Sequence, residues 1–144
     1  MSQYQLPFDP KAVALMRSAG SFFVKHESRL MIFEDAMLAI PKKRWEFYTH
    51  ENHPVVACRE GRVFDLPSDL RNEHSLQLRH EDDTFAMYTN VESTLEQGYM
   101  VEQGEVIAQK RDGFNVGVEV HVLAGCVMHI FGKRRWAVKI SFDY

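Results

Sequence analysis

The run Asp83–Ala108, DTFAMYTNVESTLEQGYMVEQGEVIA, decides how the rest of the chain is read. Its first part alternates apolar and polar positions, with Phe85 and Met87 on one side, the period-2 pattern of a half-buried strand. Its last part, Gly98-Tyr-Met-Val-x-x-Gly104-x-Val106-Ile107-Ala108, reads as a turn, a short strand, a second turn and another strand. Glycines recur at 98, 104, 113, 117, 125 and 132, so no helix is expected past residue 98. Consecutive β-structure is the starting point.

Working outward, the stretch is preceded by the alternating segment HSLQLRH (74–80) and the turn-rich loop LPSDLRN (66–72). Before these, His53-Pro-Val-Val-Ala-Cys-Arg-Glu-Gly61-Arg-Val-Phe64 reads as strand, glycine turn, strand. Toward the N-terminus, SFFVKH, RLMIF, MLAI and WEFYTH are short runs rich in aromatic and branched residues, broken at Glu27-Ser28, Glu34-Asp35 and Pro41-Lys42-Lys43-Arg44. Downstream lie NVGVEVHV, LAGCVMHIF and WAVKISF. Residues 1–8 read as an extended arm. Asp9-Pro10 then predicts a helix start and Gly20 a stop, with Ala12, Leu15, Met16 and Ala19 at i, i+3, i+4 and i+7. The expected fold is all-β, an antiparallel β-sandwich or collapsed barrel with one short N-terminal helix. The expected division is an arm and helix over 1–20 and one β-domain over 21–144.

With 144 residues, 45% hydrophobic and 26% charged, the composition is that of one globular domain with a sizeable core. A formal net charge of -3 argues against wholesale nucleic-acid or membrane-surface binding. No stretch approaches the ~20 apolar residues of a membrane-spanning helix. The N-terminus carries no secretory signal pattern, which predicts a cytoplasmic protein. Cys58 and Cys126 sit in apolar, strand-like runs, PVVAC and GCVMHIF, where buried free thiols are common; a disulfide is the other possibility.

The segment G-x-x-V-x-x-G-x-x-I-[AG] after an aromatic resembles the middle of the lysostaphin-type (LytM-like) zinc endopeptidases, and Gly98, Val101, Gly104, Val106, Ile107 and Ala108 match it. Pro54, Val55, Ala57, Gly61 and Val63 resemble the family's G-T-P-V-x-A-x-x-x-G-x-V segment. The order of blocks agrees over roughly residues 53–122. The resemblance implies a duplicated hybrid β-motif and an envelope or phage-particle location. It also implies a zinc held by a His and an Asp near the first core strand and by the second His of an H-x-H strand, with an open position for a hydrolytic water.

Carried over residue by residue, that chemistry is incomplete. The H-x-x-x-D positions fall near Lys42 to Glu46, where the chain reads Lys-Lys-Arg-Trp-Glu. The catalytic histidine after the aromatic is replaced in Tyr88-Thr89-Asn90. In one register Asn115 and Gly117 take the H-x-H positions; in the other, Glu119 and His121 do. The resemblance therefore implies a cleft lined by Glu46, Asn90, Asn115, Glu119 and His121, with no catalytic residue. A different metal site would draw on His50, His53 and His121, with zinc as the alternative cofactor.

Two turns, Lys42-Lys43-Arg44 and Lys133-Arg134-Arg135, each precede a Trp; together they would form a patch for an acidic partner. Alone, each reads as a charged hairpin tip that protects a sheet edge. The combined expectation is a non-catalytic module contacting a partner protein or glycan through a former peptidase cleft, without a cofactor. The alternatives are a divergent metal-dependent peptidoglycan hydrolase and a β-module that binds an acidic partner through its basic turns.

Overall fold

The computed structural model describes residues 4–18, 21–26, 29–34, 44–49, 52–64, 74–82, 84–123, 135–138 and 142–143. Every regular element among them is a strand: β1 (Tyr4–Gln5), β2 (Val13–Ser18), β3 (Ser21–His26), β4 (Arg29–Glu34), β5 (Trp45–Thr49), β6 (Pro54–Val56), β7 (Gly61–Val63) and β8 (Ser75–Arg79) come first. They are followed by β9 (Thr84–Thr89), β10 (Val91–Glu92), β11 (Met100–Val101), β12 (Val106–Lys110), β13 (Val116–Leu123), β14 (Arg135–Val138) and β15 (Phe142–Asp143). The MLAI run and the LAGCVMHIF run, with Cys126, lie outside the described residues, as does the loop 66–72.

The main sheet has ten strands in the order β11-β7-β8-β9-β13-β5-β2-β3-β4, with β14 also pairing β13. A second sheet, β10-β12-β6, packs against it, and β1 pairs with β15 in parallel. Alternation explains the layering. Leu76, Leu78, Ala86, Tyr88, Val116, Val118 and Val120 point into one core, which they share with Val55, Val91, Ile107 and Ala108 of the smaller sheet. The intervening residues Gln77, Phe85, Met87, Thr89, Gly117 and Glu119 form the other face of the main sheet.

The glycines of the paired turn act as anticipated. Gly98 and Gly104 have φ of 93° and 84°, the left-handed region that glycine enters without a Cβ penalty. Gly98 N–H donates to Val63 O and Gly104 N–H to Ala57 O, so one turn is stitched to β7 and the other to the segment that joins β6 to β7. The expected buried thiol is found at Cys58, which is free and fully enclosed.

The predicted N-terminal helix is a correction. Asp9 does cap free amides, accepting from Lys11 N–H at 3.0 Å, with Ala12 N–H donating to Asp9 O at 2.8 Å, but only a single turn follows. Val13–Ser18 is then a strand between β3 and β5. Its ladder with β5 shifts register between Val13 and Leu15, a β-bulge. That bulge puts Val13 and Met16, three residues apart, both in the core, at 1% and 0% exposure. An i, i+3 spacing of buried residues thus arises here without a helix.

Candidate functional site

The second face of the main sheet, itself buried at Gln77, Phe85, Met87 and Thr89, carries positions that the family resemblance singles out. One cross-strand row runs Ser75, Thr89, Gly117, Glu46, Arg17 through β8, β9, β13, β5 and β2. Gly117 is therefore opposite Glu46 on one side and opposite Thr89 on the other. Of the two registers open in the sequence, the one that places Asn115 and Gly117 at the H-x-H positions sets a supposed ligand position beside Glu46. His121 lies four positions further along β13, about 13 Å of strand away.

Arg44 fills this centre. It stands one residue before Trp45 opens β5, and its guanidinium lies over Gly117 beside the Thr89 hydroxyl: a Cβ at Gly117 would collide first with Thr89 Oγ1 and would fall 2.5 Å from Arg44 Nη2. Arg44 Nη2 donates to Thr89 Oγ1 at 2.9 Å. The Nε is 3.7 Å from Glu46 Oε1 and the Nη1 is 4.0 Å from Glu119 Oε1. These two contacts are ion pairs at charge-contact distance rather than hydrogen bonds, and Arg44 Nε is buried with no hydrogen-bond partner among the described residues. All three side chains are shielded, at 14–21% exposure, so their attraction is screened less than that of a surface pair.

Beside this row, Asn90 closes the turn after β9 with φ of 62°, a left-handed conformation that asparagine tolerates. Its Nδ2 donates to Asn115 O at 3.0 Å, and its own carbonyl accepts from Arg111 N–H. Asn90 and Asn115 therefore meet, as do Glu46 and Glu119 through Arg44. Their roles are different: the first pair ties two loops together, and the second pair neutralises a cation.

The remaining candidates are dispersed. His53 precedes β6 of the smaller sheet, whereas His121 belongs to the main sheet. His50, Lys42, Lys43, Lys133 and Arg134 lie outside the described residues. Along β13, Trp45 is opposite Val118 and Arg135 is opposite Leu123, five positions apart, about 17 Å of strand; the rest of both basic turns lies outside the described residues. Among the described residues, no group of three or more His, Cys, Asp or Glu is placed to hold a metal ion.

The residues at the centre do not fit a zinc ion. Gly117 supplies no donor, the space above it holds a guanidinium, and both carboxylates already face that cation. Zinc asks for neutral imidazoles and carboxylates around an empty tetrahedral centre. Sequence reasoning singled out Glu46 and Glu119, which share this face, but read Arg44 as a hairpin-tip charge and passed over Thr89. The available signal was Gly117, a glycine inside a strand of branched residues, which marks a close approach by another group.

No family model matches the chain, and no curated protein matches it by sequence. Among solved structures it is similar to a zinc-containing peptidase from Vibrio cholerae, at 18% identity and a TM-score of 0.55 over 83% of this chain and 36% of that one. It is also similar to the SpoIIQ–SpoIIIAH pore-forming complex, at 18% identity and a TM-score of 0.52, covering 85% of each chain. The chain thus spans about a third of the length of the peptidase. Identity this low speaks to fold alone, and the fold is that of a LytM-like β-module.

Proposed function

We propose that this chain is a non-catalytic LytM-like module whose sheet face, the former peptidase cleft, contacts a partner protein or a glycan. The observation that carries the reading is the Arg44 guanidinium over Gly117, paired to Glu46 and Glu119. A hydrolase of this type needs a Lewis-acidic cation with a free position for water. Arg44 offers the opposite, a cation whose charge is held by protein groups and which cannot lower the pKa of a bound water. A dication entering here would have to displace a guanidinium and would meet its repulsion on approach.

What the arrangement supports is recognition. The shielded Arg44–Glu46–Glu119 cluster presents one cation and two carboxylates, with the Asn90–Asn115 contact beside it. Such a surface suits hydrogen-bonding partners such as peptide backbone or sugar hydroxyls. The similarity in fold to one component of a protein complex is compatible with a partner protein.

Metal analysis of protein purified without a metal-affinity tag tests this reading. Less than about a tenth of an equivalent of zinc per chain is expected after equilibration with excess zinc and desalting, because no site of three good ligands is available among the described residues. Near-stoichiometric zinc that is lost on His121→Ala would overturn the proposal and favour hydrolysis by a rearranged site.

A further inference from the structure

His80, the residue that follows β8, is buried at 4% exposure with one ring nitrogen satisfied and the other bare. Its Nδ1 donates to Glu60 O at 2.6 Å, which leaves the neutral ring with a lone pair on Nε2. Nε2 has no hydrogen-bond partner among the described residues. The ring packs edge to face against Tyr4 of β1, with centroids 5.7 Å apart and planes at 72°. Arg59 holds Tyr4 as well: its guanidinium stands 5.6 Å from the Tyr4 ring centroid and donates from Nη1 to the hydroxyl at 3.3 Å. Tyr4 is thus the common neighbour of a buried histidine and a cation.

A proton on His80 upsets this joint. The ring gains an Nε2–H donor without an acceptor and a positive charge near Arg59, both costly where water is excluded. Burial lowers the His80 pKa, the Glu60 hydrogen bond opposes that, Arg59 lowers it further and Asp82 raises it, and the balance lies below the ordinary value. Asp82 is an exposed carboxylate that already pairs with Arg59 at 3.1 Å. The remaining charged neighbours, Glu60, Arg62, Arg79 and Glu81, line a cavity of about 400 Å³ together with the ring. They are exposed side chains, two of each sign, and leave no net charge to hold a proton.

The element placed to yield is β1, two residues long and paired in parallel with β15. Gln5 N–H donates to Cys58 O at 2.9 Å, and the same carbonyl accepts from Gln103 Nε2, so it keeps a partner when Gln5 leaves. Beyond Gln5 the arm is pinned: Leu6 and Phe8 are buried, and Val56 N–H donates to Pro7 O. His80 itself is tied to the main sheet through its N–H to Thr84 O, next to a β8 that has a neighbour on each side. We propose that β1 is an acid-operated latch: a proton on His80 releases Tyr4–Gln5, with its strand partner Phe142–Asp143, while the arm from Leu6 onward stays docked. Water then reaches both Nε2 and the Arg59 guanidinium. This latch does not rest on the reading of the cleft at Arg44.

Amide hydrogen exchange of the full chain, followed by NMR and corrected for the intrinsic rate at each pH, tests the latch through the Gln5 amide. Its protection should fall by about three- to tenfold between pH 7.5 and 5.5, the upper figure being the linkage limit for a histidine that titrates near 6.5 when exposed. The fall should be the same in about 1 M urea, because opening two residues exposes little surface. In His80→Gln it should vanish, with the amide resonances of β9 and β13 showing a folded chain. Asp82→Asn, at an exposed position, should enlarge it, since a carboxylate that favours the proton on His80 is gone. A Gln5 amide as sensitive to urea as those of β9 and β13 would mean that the strand leaves only when the domain unfolds, and would overturn the proposal. So would a protection independent of pH, a fall that persists in His80→Gln, or a smaller fall in Asp82→Asn.

Discussion

Arg44 and Gly117 are complementary: the guanidinium of the first occupies the space that any side chain on the second would need. Gly117→Ala should therefore displace both the Arg44 guanidinium and the Thr89 hydroxyl, which a Cβ would meet first. A destabilisation of about 1–2 kcal/mol is expected in the parent, as in other small-to-large changes at packed positions. In an Arg44→Ala background the same change should cost less, the clash with Thr89 Oγ1 remaining. Denaturant unfolding of the four proteins of this cycle gives the coupling, and a coupling below about 0.5 kcal/mol would mean that the two residues do not share the space.

Arg44→Met removes both ion pairs and the hydrogen bond to Thr89 Oγ1 while keeping an unbranched side chain of similar reach. Two carboxylates then remain near each other without the cation between them. A loss of about 1–2 kcal/mol is expected, discounted for partial exposure, and part of it should return on adding Glu46→Gln. Chemical denaturation at low and high salt checks this, because a loss that has its origin in carboxylate repulsion shrinks as salt rises.

Acid should weaken the fold before carboxylates titrate, and His80 is the reason. The ring is 4% exposed, donates from Nδ1 to Glu60 O at 2.6 Å, and has an Nε2 with no partner among the described residues. Burial lowers its pKa below the ordinary value of 6.5, the Glu60 hydrogen bond opposes that shift, and the neighbouring Arg59 cation adds to it. A neutral buried histidine binds fewer protons than the same residue in the unfolded chain. Stability is therefore full above about pH 6.5 and falls as the pH drops below it. Unfolding curves between pH 7.5 and 5 should show this decline, and it should be flatter in His80→Gln.

A second, lower acid window belongs to Asp82. Its carboxylate accepts from Thr84 Oγ1 and Thr84 N–H and pairs with Arg59 at 3.1 Å, which holds its pKa down at about 2. The stabilisation is present above pH 3.8 and is lost as the pH falls toward 2. Asp82→Asn should remove this component and, because the Asp82 charge raises the His80 pKa, should deepen the His80 decline as well; an unchanged acid limb near pH 3 would show that Asp82 does not carry the lower window.

Tyr88 and Cys58 offer a test inside the core. Cys58 N–H donates to the Tyr88 hydroxyl at 2.9 Å, and both residues are 0% exposed. Tyr88→Phe leaves a buried amide without its acceptor and should cost about 1–3 kcal/mol. Burial raises the Cys58 thiol to about 12, so this thiol should react with a disulfide reagent only on unfolding. The reaction rate at Cys58 should therefore rise in Tyr88→Phe by the factor by which stability falls.

The strands and the paired glycine turn were legible because they depend on local chemistry: a two-residue alternation, φ values open to glycine, and turn residues at fixed offsets. The lysostaphin-like order of blocks added the expectation of a particular β fold, and the likeness to solved structures agrees with it. The segment after Pro10 was misread because Asp9-Pro10 does open a turn and Ala12, Leu15, Met16 and Ala19 fit a helical spacing in one dimension, and only pairing with β3 and β5 shows the strand. The centre of the site was hidden for a related reason. Arg44 stands in a basic run that reads as solvated when taken alone. Its place over Gly117, between carboxylates 2 and 75 positions away at Glu46 and Glu119, follows from the lateral order β9-β13-β5, which is a long-range property of the sheet. Local residue chemistry determined which strands form, and tertiary pairing decided which charges meet.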